Sequence, residues 1–172
     1  MDKTENNALI EILNRMLAQE HACAIRYATH AAAITGPFSE TVSERLKEIA
    51  SDEIRHAAVL RERIHGLGGV PTMSVQTDDL LPGDTLREIL EIDMTEERVA
   101  IGEYARILQA IPQLNAILYE AVEELLRDEQ EHLEQLLRLR PLEGKENGNG
   151  DKRTQDRAGF GKEHQEKVLP SL

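Results

Sequence analysis

A motif that occurs twice is the feature that most constrains the fold of this chain. Each copy starts with a single glutamate and continues, about nine helical turns later, with the pattern Asp-Glu-x-x-His. The glutamates of these two patterns follow the single glutamates by 33 and 32 residues. The residues of the two copies, in chain order, are Glu20, Asp52, Glu53 and His56, and then Glu97, Asp128, Glu129 and His132. Because the intervals almost agree, the chain is predicted to fold as two equivalent halves.

Apolar residues recur at steps of three and four through both halves, which predicts four amphipathic helices. The predicted spans are about 5–34, about 40–67, from 84 or 85 to 111, and a fourth helix that ends before residue 141. Pro112 is expected to lie in the first turn of the fourth helix. Residues 68–83 form a long connection, which predicts a crossover along the bundle. The predicted fold is therefore all-α, with two helical hairpins joined by a crossover into a four-helix bundle.

The six Glu and His side chains of the two motifs lie on the apolar stripes, so folding would bury them. A buried carboxylate without a partner costs several kcal/mol, and four together would exceed the roughly 5–15 kcal/mol stability of a typical domain. The stripes contain no Lys or Arg, so two divalent cations are the expected counter-charges. Taken alone, each Glu is typical of a solvated surface, and each His of a hydrogen-bonded core position or a surface position. The matched repeat favours a dinuclear metal site instead.

The types of ligand limit which metals are expected and suggest a role for each residue. Four carboxylates and two imidazoles without a thiolate favour iron or manganese over a structural zinc ion. The predicted bridging ligands are Glu53 and Glu129, the terminal ligands are Glu20 and Glu97, and His56 and His132 each bind one ion. Glu96 is an alternative, additional ligand. Asp52 and Asp128 either accept a hydrogen bond from the histidine of the opposing helix or are solvated.

Two tyrosines occupy equivalent places in the repeat. Tyr27 follows Glu20 by seven residues and Tyr104 follows Glu97 by seven, so each shares the helical face of its glutamate. Such a tyrosine is either a core residue with a satisfied hydroxyl or a functional one. The functional alternative predicts that both hydroxyls hydrogen-bond to metal ligands or donate electrons to the site.

Composition and charge exclude several other classes of protein. The net charge of −12 argues against nucleic acid and anionic membranes as partners, because both need clustered Lys and Arg. No segment has the apolar character of a signal peptide or a membrane span, so a cytoplasmic protein is expected. Residues 143–172 change to a Gly-rich, polar sequence, which predicts a flexible tail after a bundle domain at 1–142. The end of this tail could form a short helix or a docking peptide.

Together, Glu20-x6-Tyr27, Glu97-x6-Tyr104, the two Asp-Glu-x-x-His patterns and the crossover resemble the ferritin-like di-iron superfamily over about residues 5–140. The chain is most similar to bacterioferritin and rubrerythrin-type members. The resemblance implies a ferroxidase that binds two iron ions, or manganese, and oxidises Fe(II) with oxygen or hydrogen peroxide for iron detoxification or storage. The alternatives are a rubrerythrin-like peroxide reductase, another di-iron oxygenase, or a non-catalytic metal-binding bundle that its tail recruits as cargo or adaptor.

Departures from the known subfamilies refine these expectations. Ile54 stands where bacterioferritins place a haem-ligating Met, so haem is not expected. One cysteine, Cys23, cannot supply the four-Cys rubredoxin domain of typical rubrerythrins. The apolar sequence at 168–172 is loosely similar to peptides that dock ferritin-like proteins inside an encapsulin-type shell. Apolar residues off the stripes would allow a homo-oligomer, and they include Val59, Ile101 and Ile117.

Overall fold

A computed structural model describes residues 3–36, 39–112 and 115–140 of the chain. These residues form four long α-helices and one short 3-10 helix, and no β-strand occurs among them. The α-helices are α1 (Lys3–Ala33), α2 (Ser39–Gly66), α3 (Leu86–Ala110) and α4 (Ala116–Leu139), and the 3-10 helix is Thr77–Asp79. The predicted all-α four-helix bundle is confirmed. None of the described helices is both long and apolar enough to cross a membrane.

The predicted boundary at residue 142, the polar character of the tail at 143–172 and its docking role all fall outside the described residues. They stay predictions.

The helix ends of the second hairpin follow from local chemistry. The helix α3 starts close to the predicted residues 84 or 85, and Thr85 caps it, because its side-chain oxygen accepts a hydrogen bond of 3.2 Å from the amide three residues later. The prediction that Pro112 lies in the first turn of α4 is wrong, since α4 begins at Ala116 behind the capping residue Asn115. Ile111 already has extended backbone angles (φ −74°, ψ 126°). A proline restricts the residue before it in this way, so the chain leaves α3 before the proline.

The crossover between α2 and α3 runs along α1 in the same direction as that helix. Hydrogen bonds between the two segments, in chain order, join Asn6 to the Leu67 carbonyl, Asn14 to the Val70 carbonyl, the Gln76 amide to the Ala18 carbonyl and His30 to the Leu81 carbonyl. Residue numbers rise together in both segments, so the crossover carries the chain from the end of α2 back to the end where α2 began. The second hairpin therefore starts there, and α3 runs antiparallel to α1.

The apolar core is divided into two clusters by a polar layer at the middle of the bundle. One cluster lies at the end where α1 begins, and it includes Leu13, Leu60, Ile107 and Val122. The other lies towards the opposite end, and it includes Leu46, Ile49, Leu90 and Leu136. The residues between the clusters are the Glu and His residues of the repeated motif, which are all buried. Packed apolar side chains on both sides keep water away from this layer.

A buried ionic network joins α1, α3 and the crossover. The Arg26 guanidinium donates to Asp93 through Nε at 3.1 Å and to the Asp79 carbonyl at 3.1 Å. His30 lies one helical turn further along α1, and its two ring nitrogens face Asp93 at 3.0 Å and the Leu81 carbonyl at 2.8 Å. Arg26, His30 and Asp93 are at most 2% exposed. The network therefore fastens the crossover to the bundle with paired charges.

Replacing Asp93 with Asn should lower the free energy of unfolding by about 3–5 kcal/mol, because Arg26 would be left as an uncompensated buried cation. Urea denaturation followed by circular dichroism measures this change. Glu91→Gln is the matched control, since Glu91 is an exposed acid on the same helix, and its effect should stay within about 0.5 kcal/mol. Equal stabilities of the two variants would contradict the buried ion pair.

Candidate metal centre

The four helices each present acidic or imidazole side chains to the same point in the polar layer. Both α1 and α3 contribute one glutamate, while α2 and α4 each contribute a glutamate and a histidine one turn apart. The six residues are Glu20, Glu53, His56, Glu97, Glu129 and His132, and each is only 1–2% exposed. The structure thus brings together all six residues that the repeat predicts as ligands.

The six residues form two overlapping groups of four. One group contains Glu20, Glu53, His56 and Glu129, and the other contains Glu53, Glu97, Glu129 and His132. In each group one potential ligand atom per residue lies within 4.8 Å of all the others. Glu53 and Glu129 belong to both groups, which is the arrangement that two bridging carboxylates require.

The two shared carboxylates each direct one oxygen towards each histidine. His56 Nδ1 lies 3.2 Å from Glu53 Oε2 and 3.1 Å from Glu129 Oε1. His132 Nδ1 lies 3.3 Å from Glu53 Oε1 and 3.4 Å from Glu129 Oε2. The two imidazole rings stack with centroids 5.6 Å apart. Each half of the cluster therefore contains one imidazole nitrogen and one oxygen of each shared glutamate.

The outer nitrogens of both histidines face aspartates on the opposing helix. His56 Nε2 is 3.2 Å from Asp128 Oδ2, and His132 Nε2 is 3.3 Å from Asp52 Oδ2. An ionised aspartate can only accept a hydrogen bond, so Nε2 of each histidine carries the hydrogen and donates it. Nδ1 is then the nitrogen that faces the cluster. Of the two alternatives for Asp52 and Asp128, the hydrogen-bonded one is present.

Each tyrosine hydroxyl donates to a glutamate of the other hairpin. Tyr27 donates to Glu97 Oε1, and Tyr104 donates to Glu20 Oε1. Seven residues along a helix correspond to about 10 Å, so neither hydroxyl bonds to the glutamate of its own helix. The antiparallel neighbour brings the other glutamate alongside instead. Both tyrosines are fully buried, and their hydroxyls are held at the edge of the cluster.

The cluster strongly perturbs its own ionisation. Burial, followed by the nearby Glu53 and Glu129 charges, raises the pKa of Glu20 well above its usual value, and the same causes raise the pKa of Glu97. Burial also opposes ionisation of Glu53, but the adjacent imidazoles of His132 and His56 outweigh it and lower the pKa of Glu53. Burial disfavours charged imidazoles, yet the adjacent carboxylates of Glu129 and Glu53 raise the pKa of His132 to about 10. Without a metal ion, protons serve as the counter-charges.

Several buried polar atoms of the cluster have no hydrogen-bond partner among the described residues. They are Glu53 Oε1, Glu97 Oε2, Glu129 Oε1 and His132 Nδ1. Some of these atoms lie near one another without the geometry of a hydrogen bond, as the 3.3 Å separation of His132 Nδ1 and Glu53 Oε1 illustrates. Buried polar atoms are rarely left unsatisfied in native proteins. Oxygen and imidazole donors that converge in this way fit divalent cations of the iron and manganese type.

Residues 10–154 match the family profile described as the ferritin-like domain. The chain belongs to the ferritin-like domain family. Its four-helix bundle is therefore that of a ferritin-like protein. Family membership and the buried cluster together support iron binding.

Known ferritin-like proteins match most of the chain. Bacterioferritin of Desulfovibrio desulfuricans is 29% identical over 126 residues, which cover 73% of this chain and 70% of that protein. Its crystal structure, in which the diiron site was studied in different catalytic states, aligns with a TM-score of 0.70 and 27% identity over 79% of this chain and 80% of that one. A ferritin-like diiron-carboxylate protein of Bacillus anthracis aligns with a TM-score of 0.75 and 32% identity over 81% of this chain and 99% of that one.

Two residues near the cluster, Glu96 and Arg26, belong to neither group of potential ligands. Glu96, the alternative ligand, is half-buried and belongs to neither of the two groups. Arg26 lies beside the apolar stripe of α1, yet it is buried, with its guanidinium 5.4 Å from the Tyr27 ring. Its charge is paired with Asp93 and does not neutralise the four glutamates. The sequence feature that could have indicated a buried cation is Asp93, an acidic residue on the apolar stripe of α3 that the repeated motif does not account for.

The melting temperature of the metal-free ferritin-like bundle should fall as the pH rises from about 6.5 to about 9. Because the raised pKa of His132 lets the folded state hold its proton more tightly, the resulting stability is complete below the unfolded pKa and is lost as the pH rises. Added Co(II) should reverse the slope, since an ion at Nδ1 replaces the proton. Differential scanning calorimetry with EDTA or with Co(II) measures both slopes.

Two histidine variants serve as test and control for this pH dependence. His132→Gln should make the slope of the metal-free protein less steep, and the remaining slope belongs to His56, whose pKa the nearby carboxylates also raise. His65→Gln, at an exposed position near the end of α2, should leave the slope unchanged. A melting temperature of the metal-free wild type that stays constant or rises over this range would contradict the electrostatics of the cluster.

Proposed function

We propose that this ferritin-like protein is a ferroxidase, which binds two Fe(II) ions at the six-residue cluster and oxidises them with oxygen or hydrogen peroxide. Iron detoxification or storage is the corresponding role. The observation that carries the proposal is the pair of four-residue groups that share Glu53 and Glu129. Two ions held by common carboxylates are close enough to react with one oxidant molecule.

The relatives support iron as the metal. The Desulfovibrio desulfuricans bacterioferritin has a diiron site, and the Bacillus anthracis protein is a diiron-carboxylate protein. Manganese prefers the same oxygen and imidazole ligands, so metal analysis of the purified protein distinguishes the two ions.

The geometry suggests which of the proposed ligands would bridge the two ions and which would bind one ion each. Glu53 and Glu129 would bridge, because each offers one oxygen to each half of the cluster. Glu20 and Glu97 would each bind one ion through Oε2, since Oε1 of both is held by a tyrosine hydroxyl. The two imidazoles would bind through Nδ1, one to each ion.

Two Fe(II) ions together release two electrons, which with two protons reduce hydrogen peroxide to two water molecules or oxygen to hydrogen peroxide. The chain contributes by positioning and by excluding water. Apolar clusters close the site on both sides along the bundle, and the tyrosine hydroxyls fix the orientation of the terminal carboxylates. Both phenol groups also lie close enough to donate an electron or a proton to the reaction.

Anaerobic titration with Fe(II) followed by exposure to oxygen should show about two iron ions oxidised per chain. Glu53→Gln should slow this oxidation by at least about 10-fold, because loss of a shared ligand affects both ions. Glu96→Gln is the matched control, since it removes an adjacent acid that lies outside both groups, and it should oxidise iron like the wild type.

Other outcomes of the titration would identify a different function. Wild-type protein that binds two iron ions but oxidises neither would be a metal-binding bundle and would refute the ferroxidase. Repeated turnover of hydrogen peroxide with an added electron donor and no net storage of iron would indicate a peroxide reductase instead.

The tyrosines provide a second test. Tyr27→Phe and Tyr104→Phe each leave one carboxylate oxygen without its donor, so each should slow iron oxidation by about 10-fold. Tyr119→Phe, at an exposed tyrosine of α4, is the control. Stopped-flow absorption measures the rate, and freeze-quench electron paramagnetic resonance detects a tyrosyl radical if one phenol donates an electron. Rates equal to that of Tyr119→Phe would leave both tyrosines as core residues only.

Exposed apolar side chains support the proposal of a homo-oligomer. They include Ile54, Val99 and Ile117. Ile54 is 62% exposed and offers no ligand atom to a haem iron, which supports a haem-free protein.

A further inference from the structure

One arginine bridges the two aspartates that lie behind the metal-site histidines. Arg55 Nη1 donates to Asp52 Oδ1 at 2.5 Å within α2, and Nη2 donates to Asp128 Oδ2 at 3.2 Å across to α4. The Arg55 side chain is 58% exposed, while those of Asp52 and Asp128 are 32% and 25% exposed. The three residues therefore form the outer surface of the cluster between these two helices.

Each of the two aspartates also holds the histidine of the opposing helix. Asp128 faces His56 Nε2 and Asp52 faces His132 Nε2, at 3.2 and 3.3 Å. A single guanidinium is thus connected through one carboxylate to each imidazole. We propose that Arg55 is a positioning residue that orients both histidines together, and this inference rests on the proposed dinuclear iron site.

The charges explain why such a residue is needed. Asp52 and Asp128 are like charges on facing helices, and without a cation between them they would repel and turn towards water. A planar guanidinium donates to two carboxylates at once, which a lysine ammonium does with far less geometric control. With both aspartates fixed, Nε2–H of each histidine has a fixed acceptor and Nδ1 stays directed at the cluster.

The repeat shows that one arginine serves both halves. The residue equivalent to Arg55 in the second motif is Glu131, one position before His132. Arg55 contacts the aspartate of its own motif and the aspartate of the other, so it lies close to the approximate two-fold axis that relates the motifs. An arginine at position 131 would approach the same two carboxylates from α4.

A surface ion pair without a role in the metal site is the competing explanation. Exposed pairs contribute little to stability and have no reason to change metal affinity. The chain offers a matched example, because Arg45 forms an exposed pair of 2.6 Å with Glu48, also three residues apart on α2. Arg45→Gln therefore removes a comparable ion pair away from the cluster.

Full-length wild type, Arg55→Gln and Arg45→Gln should be titrated with Co(II) and followed by visible absorption. We expect Arg55→Gln to weaken the binding of both ions by about 10-fold and to alter the Co(II) spectrum, because both imidazoles lose their fixed orientation. Arg45→Gln should bind like the wild type. The melting temperature of the metal-free protein should be the same in both variants, which separates positioning from structural support.

Relocation of the charge completes the test. Adding Glu131→Arg to Arg55→Gln should restore most of the lost Co(II) affinity, since the new guanidinium reaches the same aspartates. The inference is overturned if Arg55→Gln binds both ions like the wild type, if only one ion is weakened, or if it lowers the metal-free melting temperature and Glu131→Arg does not restore binding. Wild-type protein that fails to bind two Co(II) ions would instead refute the dinuclear site itself.

Discussion

The packing of four carboxylates and two imidazoles between two apolar layers is the interaction on which the rest of the structure depends. An apolar bundle of this size would be more stable with leucines at these positions, because buried charges need compensation that the surrounding side chains do not give. Arg26 is a buried cation of α1, but its charge is already paired with Asp93. In the metal-free protein, protons therefore compensate negative charge in the cluster, and divalent cations are suited to replace them.

The approximate two-fold symmetry of the repeat explains most contacts of the site. Hydrogen bonds cross from one half to the other in matched pairs, as in Tyr27 to Glu97 and Tyr104 to Glu20. The aspartate–histidine pairs cross in the same way between α2 and α4. Consequently neither hairpin can form a complete half of the cluster alone, and the site exists only when the two hairpins pack in register.

The symmetry is broken where the crossover lies. This segment hydrogen-bonds along α1, and Arg26 and His30 of α1 bond to its carbonyls. The equivalent positions of α3 are Glu103 and Ile107, which have neither the charge nor the donors for that task. The repeated motif thus supplies the clustered Glu and His residues, while residues that differ between the two halves attach the crossover.

Periodicity and the repeated motif determined the four helices, the crossover and the six clustered residues, because an apolar stripe fixes which side chains turn inward whatever the partner helix is. Which of these side chains hydrogen-bond to one another depended on the tertiary structure. The sequence placed Tyr27 on the face of Glu20, but only the antiparallel packing of α1 against α3 decided that its hydroxyl reaches Glu97. The burial of Arg26 was decided in the same way, because its partners, Asp93 and the Asp79 carbonyl, lie on other segments. The start of α4 at Ala116 depended on the capping residue Asn115, which a helical period does not encode.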